Sequence, residues 1–214
     1  SRRRHTISDR DWSSDVCSSD LSDEIVVDAN STTTSSYRNV PGGTTRKGWE
    51  LSATEMLLSS LKGVVAISQI DASFNDGFTT GTTGTQTTVN AGNRISGIPK
   101  GQIFVDLTWS DREFYRNKYR QIMGTTIGVE AVAAGSVYAN DSNAADKKAP
   151  GYAVYNLKAS HRWDLSPFTL TAYGRLDNLA DKRYIGSVIV GNANPFEPAP
   201  GRNWVVGLNA ITRF

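Results

Sequence analysis

The chain has one cysteine and two histidines in 214 residues, and no apolar run approaches the roughly 20 residues that a transmembrane helix requires. A single cysteine excludes an internal disulfide framework and a zinc–thiolate cluster. Its 23 basic and 21 acidic residues leave a net charge of +2, without the clustered basic residues expected of a nucleic-acid-binding protein. No Ser-His-Asp spacing is evident. We therefore expect no enzyme activity, no metal site, no cofactor and no nucleic-acid partner.

The first 21 residues resemble a translated sequencing adapter rather than a protein segment. Codons for residues 1–6 and 11–21 can rebuild a common indexed adapter in order, with residues 8–10 spanning its variable index. We interpret residues 1–21 as non-native, in preference to a basic nucleic-acid-binding arm or an Arg-rich targeting peptide. Removing them removes Cys17, the only cysteine, together with four Arg and four Asp, so the net charge stays at +2.

The remaining residues, 22–214, have the composition of an all-β protein. Apolar residues make up 38% of the chain, glycine is frequent, and runs that favour a helix are few. Period-two alternation between turn residues predicts about eight strands. They cover residues 24–30, 45–57, 63–74, 101–110, 118–138, 152–163, 168–178 and 202–214.

The connections between these strands alternate between short and long. The short ones are 58–62, 111–117 and 164–167, and the long ones are 31–44, 75–100, 139–151 and 179–201. Outer-membrane β-barrels have tight periplasmic turns and extended extracellular loops, whereas a soluble meander has no reason to sort its loops. The pattern therefore predicts a transmembrane barrel whose last strand runs down from the cell surface.

The two parities of the predicted strands differ in the way a barrel wall requires. One parity is apolar and ends in aromatic residues, which predicts a lower aromatic belt of Trp109, Trp163, Phe168 and Phe214 and an upper belt with Trp49 and Trp204. The other parity is polar and predicts a wet lumen; it carries Asp106, Thr108, Asn156, Lys158, Ser160, Arg162, Thr169, Thr171, Tyr173, Arg175 and Asp177. His161 is the exception on the apolar parity, near the lower rim.

Four motifs resemble the C-terminal part of TonB-dependent outer-membrane receptors. They are LDNLADKRY at 176–184, FEPAPGR at 196–202, GNRISGIPK at 92–100 and RKGWELS at 46–52, followed by a terminal strand that ends in Phe214. The motifs are specific to the family as a set, though each would be weak alone. Together they span most of residues 22–214.

The resemblance implies an all-β antiparallel meander of about eight strands, forming the C-terminal portion of a 22-stranded transmembrane β-barrel. It also implies an outer-membrane receptor of a Gram-negative bacterium that takes up a ferric siderophore with energy passed through TonB. The plug and the TonB-contacting segment of the family are missing from residues 22–214. Contact with TonB would therefore run through sequence outside this chain.

The resemblance also suggests functional residues. Cationic and aromatic side chains in the long loops suit an anionic iron chelate, and the candidates are Arg94, Arg183, Tyr184 and Phe196, with Lys147, Lys148 and Lys182 beside them. The alternative is that these side chains are solvated or pair at strand ends. Trp204, Leu208 and Phe214 resemble the terminal signal by which the barrel-assembly machinery recognises its clients, and lipid-facing packing is the alternative for them.

The sequence is also compatible with two other functional classes. A passive outer-membrane porin would share the strand pattern but lack a plug, and a soluble β-sandwich binding module would bury its tryptophans. Cobalamin, haem, copper and oligosaccharide are alternative ligands to a siderophore.

Sequencing the genomic locus across codon 22 with long reads is the direct test. We expect the codon for Ser22 to be preceded by further alternating strand sequence and, upstream of it, by a plug, with the codons for residues 1–21 absent. Genomic reads that contain those 21 codons in frame would contradict the adapter interpretation.

Overall fold

The structure is a computed structural model that describes residues 11–22, 24–30, 35–81, 86–112 and 124–212. These residues include a single 3-10 turn, Ala145–Lys147, and no helix among them is long and apolar enough to cross a membrane. They form sixteen strands, which in chain order are β1 (Asp11–Leu21), β2 (Ile25–Asn30), β3 (Ser35–Asn39), β4 (Thr44–Leu58), β5 (Leu61–Phe74), β6 (Phe78–Thr80), β7 (Thr87–Val89), β8 (Gly101–Ser110), β9 (Gly124–Ala134), β10 (Val137–Tyr138), β11 (Lys148–Ala149), β12 (Tyr152–Leu165), β13 (Phe168–Asp177), β14 (Ile185–Val188), β15 (Phe196–Pro198) and β16 (Asn203–Thr212).

Eight of these strands form one antiparallel sheet in the order β1-β4-β5-β8-β9-β12-β13-β16. Every neighbour in this order is also the next long strand along the chain, so the sheet is a simple meander. In the described residues β1 and β16 each pair on one side only, which leaves the sheet open. The predicted all-β antiparallel meander of about eight strands is confirmed.

Seven strands of the sheet lie where the alternation predicts them. The predicted segments 45–57, 63–74, 101–110, 152–163, 168–178 and 202–214 correspond to β4, β5, β8, β12, β13 and β16, with ends that differ by a few residues. The predicted strand 118–138 corresponds to β9, Gly124–Ala134, and residues 118–123 lie outside the described residues. Its predicted end is corrected, because Val137–Tyr138 pair with β11 in a separate ribbon. The predicted turn 111–117 falls largely outside the described residues too.

The eighth predicted strand, 24–30, lies outside the main sheet. β2 covers Ile25–Asn30 but pairs with β3 in a separate ribbon. Its expected place is taken by β1, which pairs with β4 from Asp11 opposite Thr54 to Leu21 opposite Thr44 and so covers that edge. The sheet membership predicted for 24–30 is therefore corrected. The interpretation of residues 1–21 as non-native stays a prediction.

Connections at the two ends of the sheet differ in length, as the sequence pattern predicts. At one end, β4–β5 and β12–β13 are joined by the two-residue turns 59–60 and 166–167. At the other end are four long loops, here called the first (22–43), second (75–100), third (135–151) and fourth (178–202). Each long loop contains a two-stranded ribbon of its own, namely β2–β3, β6–β7, β10–β11 and β14–β15.

One face of the sheet is apolar and exposed. The register aligns Leu107, Val129, Leu157, Leu176 and Trp204 in a single row across five strands. Further exposed apolar side chains extend this face on both sides of the row; they are Ile103, Trp109, Ile127, Tyr155, Trp163, Leu165, Phe168, Val206 and Leu208. A contiguous apolar surface of this kind requires a lipid or protein cover.

The main buried apolar cluster lies at the long-loop end rather than on the sheet. Val40, Phe74, Phe78 and Val89 form it, with Val26 and Ile95 packed against it. The rings of Phe74 and Phe78 meet edge to face at 5.2 Å, and the guanidinium of Arg38 lies 5.1 Å from the centre of the Phe78 ring. The first and second long loops therefore share a small core of their own.

The two faces of β16 provide a matched pair for testing lipid contact. Leu208 lies on the apolar face and its neighbour Asn209 on the opposite face, and both are exposed. We expect Leu208→Arg to lower the free energy of unfolding by about 2–4 kcal/mol if it lies at the bilayer midplane, and Asn209→Arg to cost much less. Urea unfolding in lipid vesicles measures both. Equal costs would contradict a lipid-facing role for this parity.

Candidate functional site

Charged residues form two adjacent rows on the polar face of the sheet. Lys158 on β12 lies opposite Arg175 on β13 and opposite Gly128 on β9. In the neighbouring row, Asp106 on β8 lies opposite Glu130 on β9. The register therefore places a row that carries cations beside a row that carries carboxylates, across four strands.

These rows are joined by close ion pairs. Lys158 Nζ lies 2.5 Å from Asp106 and 3.2 Å from Glu130, and the Arg175 guanidinium lies 2.6 Å from Glu130 and 2.6 Å from Asp177. Asp106 and Glu130 are like charges directly opposite each other and are largely buried, an arrangement that is destabilising without cations between them. Lys158 and Arg175 therefore hold the two carboxylates in place.

Gly128 provides the space that this network needs. Lys158 lies on β12, so its side chain must cross β9 to reach Asp106 on β8. A Cβ atom at Gly128 would lie 2.6 Å from Lys158 Cε and 2.9 Å from Thr108 Oγ1. The absent side chain is what allows the lysine to cross the strand.

The predicted ligand residue Arg94 lies in the second long loop and is tied into it. Its backbone N–H donates to Asn143 Oδ1 at 2.7 Å, and its guanidinium donates to the Ile98 carbonyl at 3.2 Å. The residue is half-buried. Arg94 thus connects the second loop to the third. The other three predicted ligand residues lie in the fourth loop.

Arg183, Tyr184 and Phe196 all lie in the fourth long loop, on or beside its ribbon β14–β15. Ala199 N–H donates to the Tyr184 carbonyl at 3.0 Å, while Phe196 begins the adjacent strand β15 and pairs with Val188. Arg183 is exposed, and both aromatic residues are half-buried. Side chains of this loop can therefore offer a cation and aromatic faces to an incoming molecule.

Tyr184 makes a contact that the sequence pattern did not reveal. Its ring lies 4.3 Å from that of Tyr152, at the start of β12 on the polar face. Partial burial raises the pKa of Tyr184, with smaller contributions from Tyr152 and Asp177. The fourth loop therefore contacts the polar face of the sheet at the end that carries the long loops.

Asp141 and Asn143 in the third loop were also missed by sequence reasoning. Both bind the second loop through their side chains. The signal available was the run Asn-Asp-Ser-Asn at 140–143, since such residues form side-chain-to-backbone hydrogen bonds in turns.

Among the described residues there is no group of three His, Cys, Asp or Glu that could hold a metal ion.

Comparison with known proteins identifies the family. The family profile described as "TonB dependent receptor-like, beta-barrel" matches residues 6–179, a span that begins within the adapter-like segment. The chain belongs to the TonB-dependent receptor family. Members of this family are receptors and transporters of the Gram-negative outer membrane, and this chain is an outer-membrane β-barrel protein.

Solved structures of the family share the fold at low sequence identity. The siderophore receptor PiuA from Acinetobacter baumannii is 20% identical, with a TM-score of 0.69 over 95% of this chain and 26% of its own. The ferric-catecholate import receptor Fiu from Escherichia coli K12 is 17% identical, with a TM-score of 0.65 over 98% of this chain and 26% of its own. The copper transporter OprC is 17% identical, with a TM-score of 0.65 over 96% of this chain and 29% of its own. The chain thus spans 26% to 29% of the length of these proteins.

The aromatic residues predicted for the outer-membrane interfaces lie on the apolar face of this receptor sheet. Trp109, Trp163 and Phe168 are exposed close to the end that carries the two-residue turns. Trp49 and Trp204 are exposed on the same face. His161, the polar exception on this face, forms a 2.8 Å hydrogen bond with Thr125 Oγ1, and its ring lies 4.4 Å from Trp163. The belt itself stays a prediction, and its member Phe214 lies outside the described residues.

Gly128 gives a sharp test of the charged rows. We expect Gly128→Ala to displace Lys158 from Asp106 and to destabilise the barrel by about 1–3 kcal/mol, the usual cost of overpacking. Gly174→Ala is the control, because a Cβ there would find its nearest neighbour, Val206 Cγ1, at 3.7 Å. Urea unfolding in lipid vesicles measures the cost.

The mechanism predicts strong coupling between the two positions. In a Lys158→Ala background, Gly128→Ala should lose much of its effect, because the Cγ and Cε atoms that crowd the added methyl are then absent and only Thr108 Oγ1 remains close. The same cost in both backgrounds would mean that the crossing lysine is not the reason for the glycine.

Proposed function

We propose that this chain contributes part of the barrel of a receptor that imports a ferric siderophore across the outer membrane. The observation that carries the proposal is the family match over residues 6–179. A group of loop residues that can offer a cation and aromatic faces supports it. PiuA and Fiu, which share the fold, are described as receptors for a siderophore and for ferric catecholates respectively.

We propose further that the chain is the C-terminal portion of a larger barrel, and that residues 1–21 are not native to it. Without β1 the sheet has seven strands, from β4 to β16, and its two unpaired edges would leave backbone groups without partners in lipid; additional strands would satisfy them. The plug and the contact with TonB would be supplied by the rest of this complete receptor. Trp204, Leu208 and Phe214 would form the signal read by the barrel-assembly machinery.

Direct contact with the ligand is assigned to Arg183, Tyr184 and Phe196 in the fourth long loop. An exposed guanidinium can form charge-assisted hydrogen bonds with an anionic iron chelate, and aromatic rings can pack on its planar groups. Arg94 is proposed to contribute by holding the second and third loops together, and its guanidinium is not assigned to the ligand. No catalytic role is proposed for any of these residues.

Binding of defined probes to the complete receptor tests the proposal. A ferric tris-catecholate, a ferric hydroxamate, haem and Cu²⁺ would each be titrated while tryptophan fluorescence is followed. We expect a ferric chelate to bind, and Arg183→Gln to weaken its binding about tenfold, as the loss of one charge-assisted hydrogen bond predicts.

Lys100→Gln is the matched control, since Lys100 is another exposed cation at the long-loop end. Binding should be unchanged in that variant. If only Cu²⁺ or only haem binds, that molecule is the ligand and the ferric-chelate proposal is wrong. An open ionic conductance in planar bilayers would favour a passive porin instead.

A further inference from the structure

We propose that Asp141 and Asn143 are positioning residues that couple the second and fourth long loops through the third. This inference rests on the proposed function, because the fourth loop carries Arg183, Tyr184 and Phe196. Its structural part concerns the loops alone and can be tested without any ligand.

The third loop is bound to the second by six hydrogen bonds. Asn143 exchanges two of them with the Arg94 backbone, accepting from its N–H at 2.7 Å and donating to its carbonyl at 2.8 Å. Asp141 Oδ1 accepts from the Ser96 N–H at 3.0 Å and from the Ser96 hydroxyl at 2.7 Å. In the remaining two bonds, Asn93 Nδ2 donates to the Asp141 carbonyl at 2.9 Å and Gly97 N–H donates to the Tyr138 carbonyl at 2.8 Å.

The backbone of the third loop is shaped for these contacts. Asn143 has a φ of +55°, a left-handed conformation that asparagine tolerates better than most residues. Its N–H also donates to the Asn140 carbonyl at 3.2 Å, and Ala144 N–H donates to Asn140 Oδ1 at 3.2 Å. The turn therefore directs the Asn143 amide group across to Arg94.

The same loop holds the fourth loop on its other side. Gly191 N–H donates to the Ala139 carbonyl at 2.9 Å, and Lys147 Nζ donates to the Ala193 carbonyl at 2.7 Å. Ala139 is two residues from Asp141 and is almost fully buried. The third loop is thus bonded to both of its neighbours within a few residues.

The second loop supplies a fixed anchor for this chain of contacts. Ile95 packs against the apolar cluster that the first and second loops share, and its N–H donates to the Ala72 carbonyl at 3.0 Å. Arg94 forms an isolated bridge with Ser73 at the top of β5. The sheet thus anchors the second loop, which is bonded to the third by Asp141 and Asn143, and the third is bonded to the fourth. Gly97 of the second loop also lies beside Val190 of the fourth, where a Cβ on the glycine would be 3.0 Å from Val190 Cγ2.

Long surface loops are ordinarily the most mobile parts of a protein. Here the loop that carries the candidate ligand residues is held at its start by the contact of Tyr184 with Tyr152, and further along by the third loop at Gly191 and Ala193. Loss of the Asn143 side chain should make the fourth loop more mobile, although the hydrogen bonds of that amide group go to Arg94, Asn140 and Asp141. An effect on segment 185–198 distinguishes coupling between the loops from a purely local role of Asn143.

The test uses Asn143→Gly in the complete receptor, because glycine keeps the left-handed backbone while removing the amide group. Hydrogen exchange by mass spectrometry should become about tenfold faster in segments 90–100 and 185–198, the factor expected for the loss of two hydrogen bonds. Asp141→Ala should act in the same direction. Asp146→Asn, an exposed substitution in the same loop, is the control and should change neither segment. Faster exchange confined to 90–100 and 139–146 would overturn the proposal.

A second measurement connects the coupling to binding. Asn143→Gly should weaken binding of the ferric chelate about threefold to tenfold in the unaltered receptor, and should add little in an Arg183→Gln background. Additive losses would overturn the positioning role. If the exchange result holds and no ferric chelate binds the unaltered receptor, the loop coupling stands and the proposed ligand class is wrong.

Discussion

Backbone hydrogen bonding within lipid is the constraint on which this structure depends. A strand in the hydrocarbon core has no water to bind, so its N–H and C=O groups must be paired with neighbouring strands. The antiparallel ladder from β4 to β13 meets this requirement on both edges of every strand. Once the ladder is fixed, period-two alternation sends apolar side chains to the lipid and polar ones to the other face.

Register then decides what the polar face can hold. A shift of one residue would turn Lys158 to the lipid side, and a shift of two would separate it from Asp106. The pairing of Lys158 with Gly128, and of Glu130 with Asp106, sets cations between carboxylates that would otherwise repel each other. The ladder and the ion pairs are thus mutually supporting, because each fixes the register that the other needs.

The sequence predicted the long strands well because their alternation persists over ten or more residues and is enforced by two different environments. It predicted less at the long loops, where ribbons of two to six residues such as β10–β11 and β14–β15 carry too little periodicity to stand out. Arg94 was recognised by its charge, but its place beside Asn143 depends on two loops 49 residues apart meeting in space. That Lys158 crosses β9 at Gly128 likewise depends on the pairing register of β9 with β12, which the sequence of one strand alone does not reveal.

Strand β1 illustrates that backbone pairing in a β-sheet depends only weakly on which side chains the strand carries. Residues 11–21 contain neither proline nor glycine, so their backbone can pair with any free edge of suitable length. Their side chains fit only in part: Val16 lies opposite Trp49 on the apolar parity, whereas Asp15 lies opposite Glu50, a like-charge pair. On the apolar parity, Ser14 lies opposite Leu51, while Asp20 accepts a 2.7 Å hydrogen bond from Thr45 Oγ1. Backbone pairing alone is therefore compatible with a segment foreign to the barrel, and the pair of Asp15 with Glu50 is a mismatch that a native strand at this edge would be expected to remove.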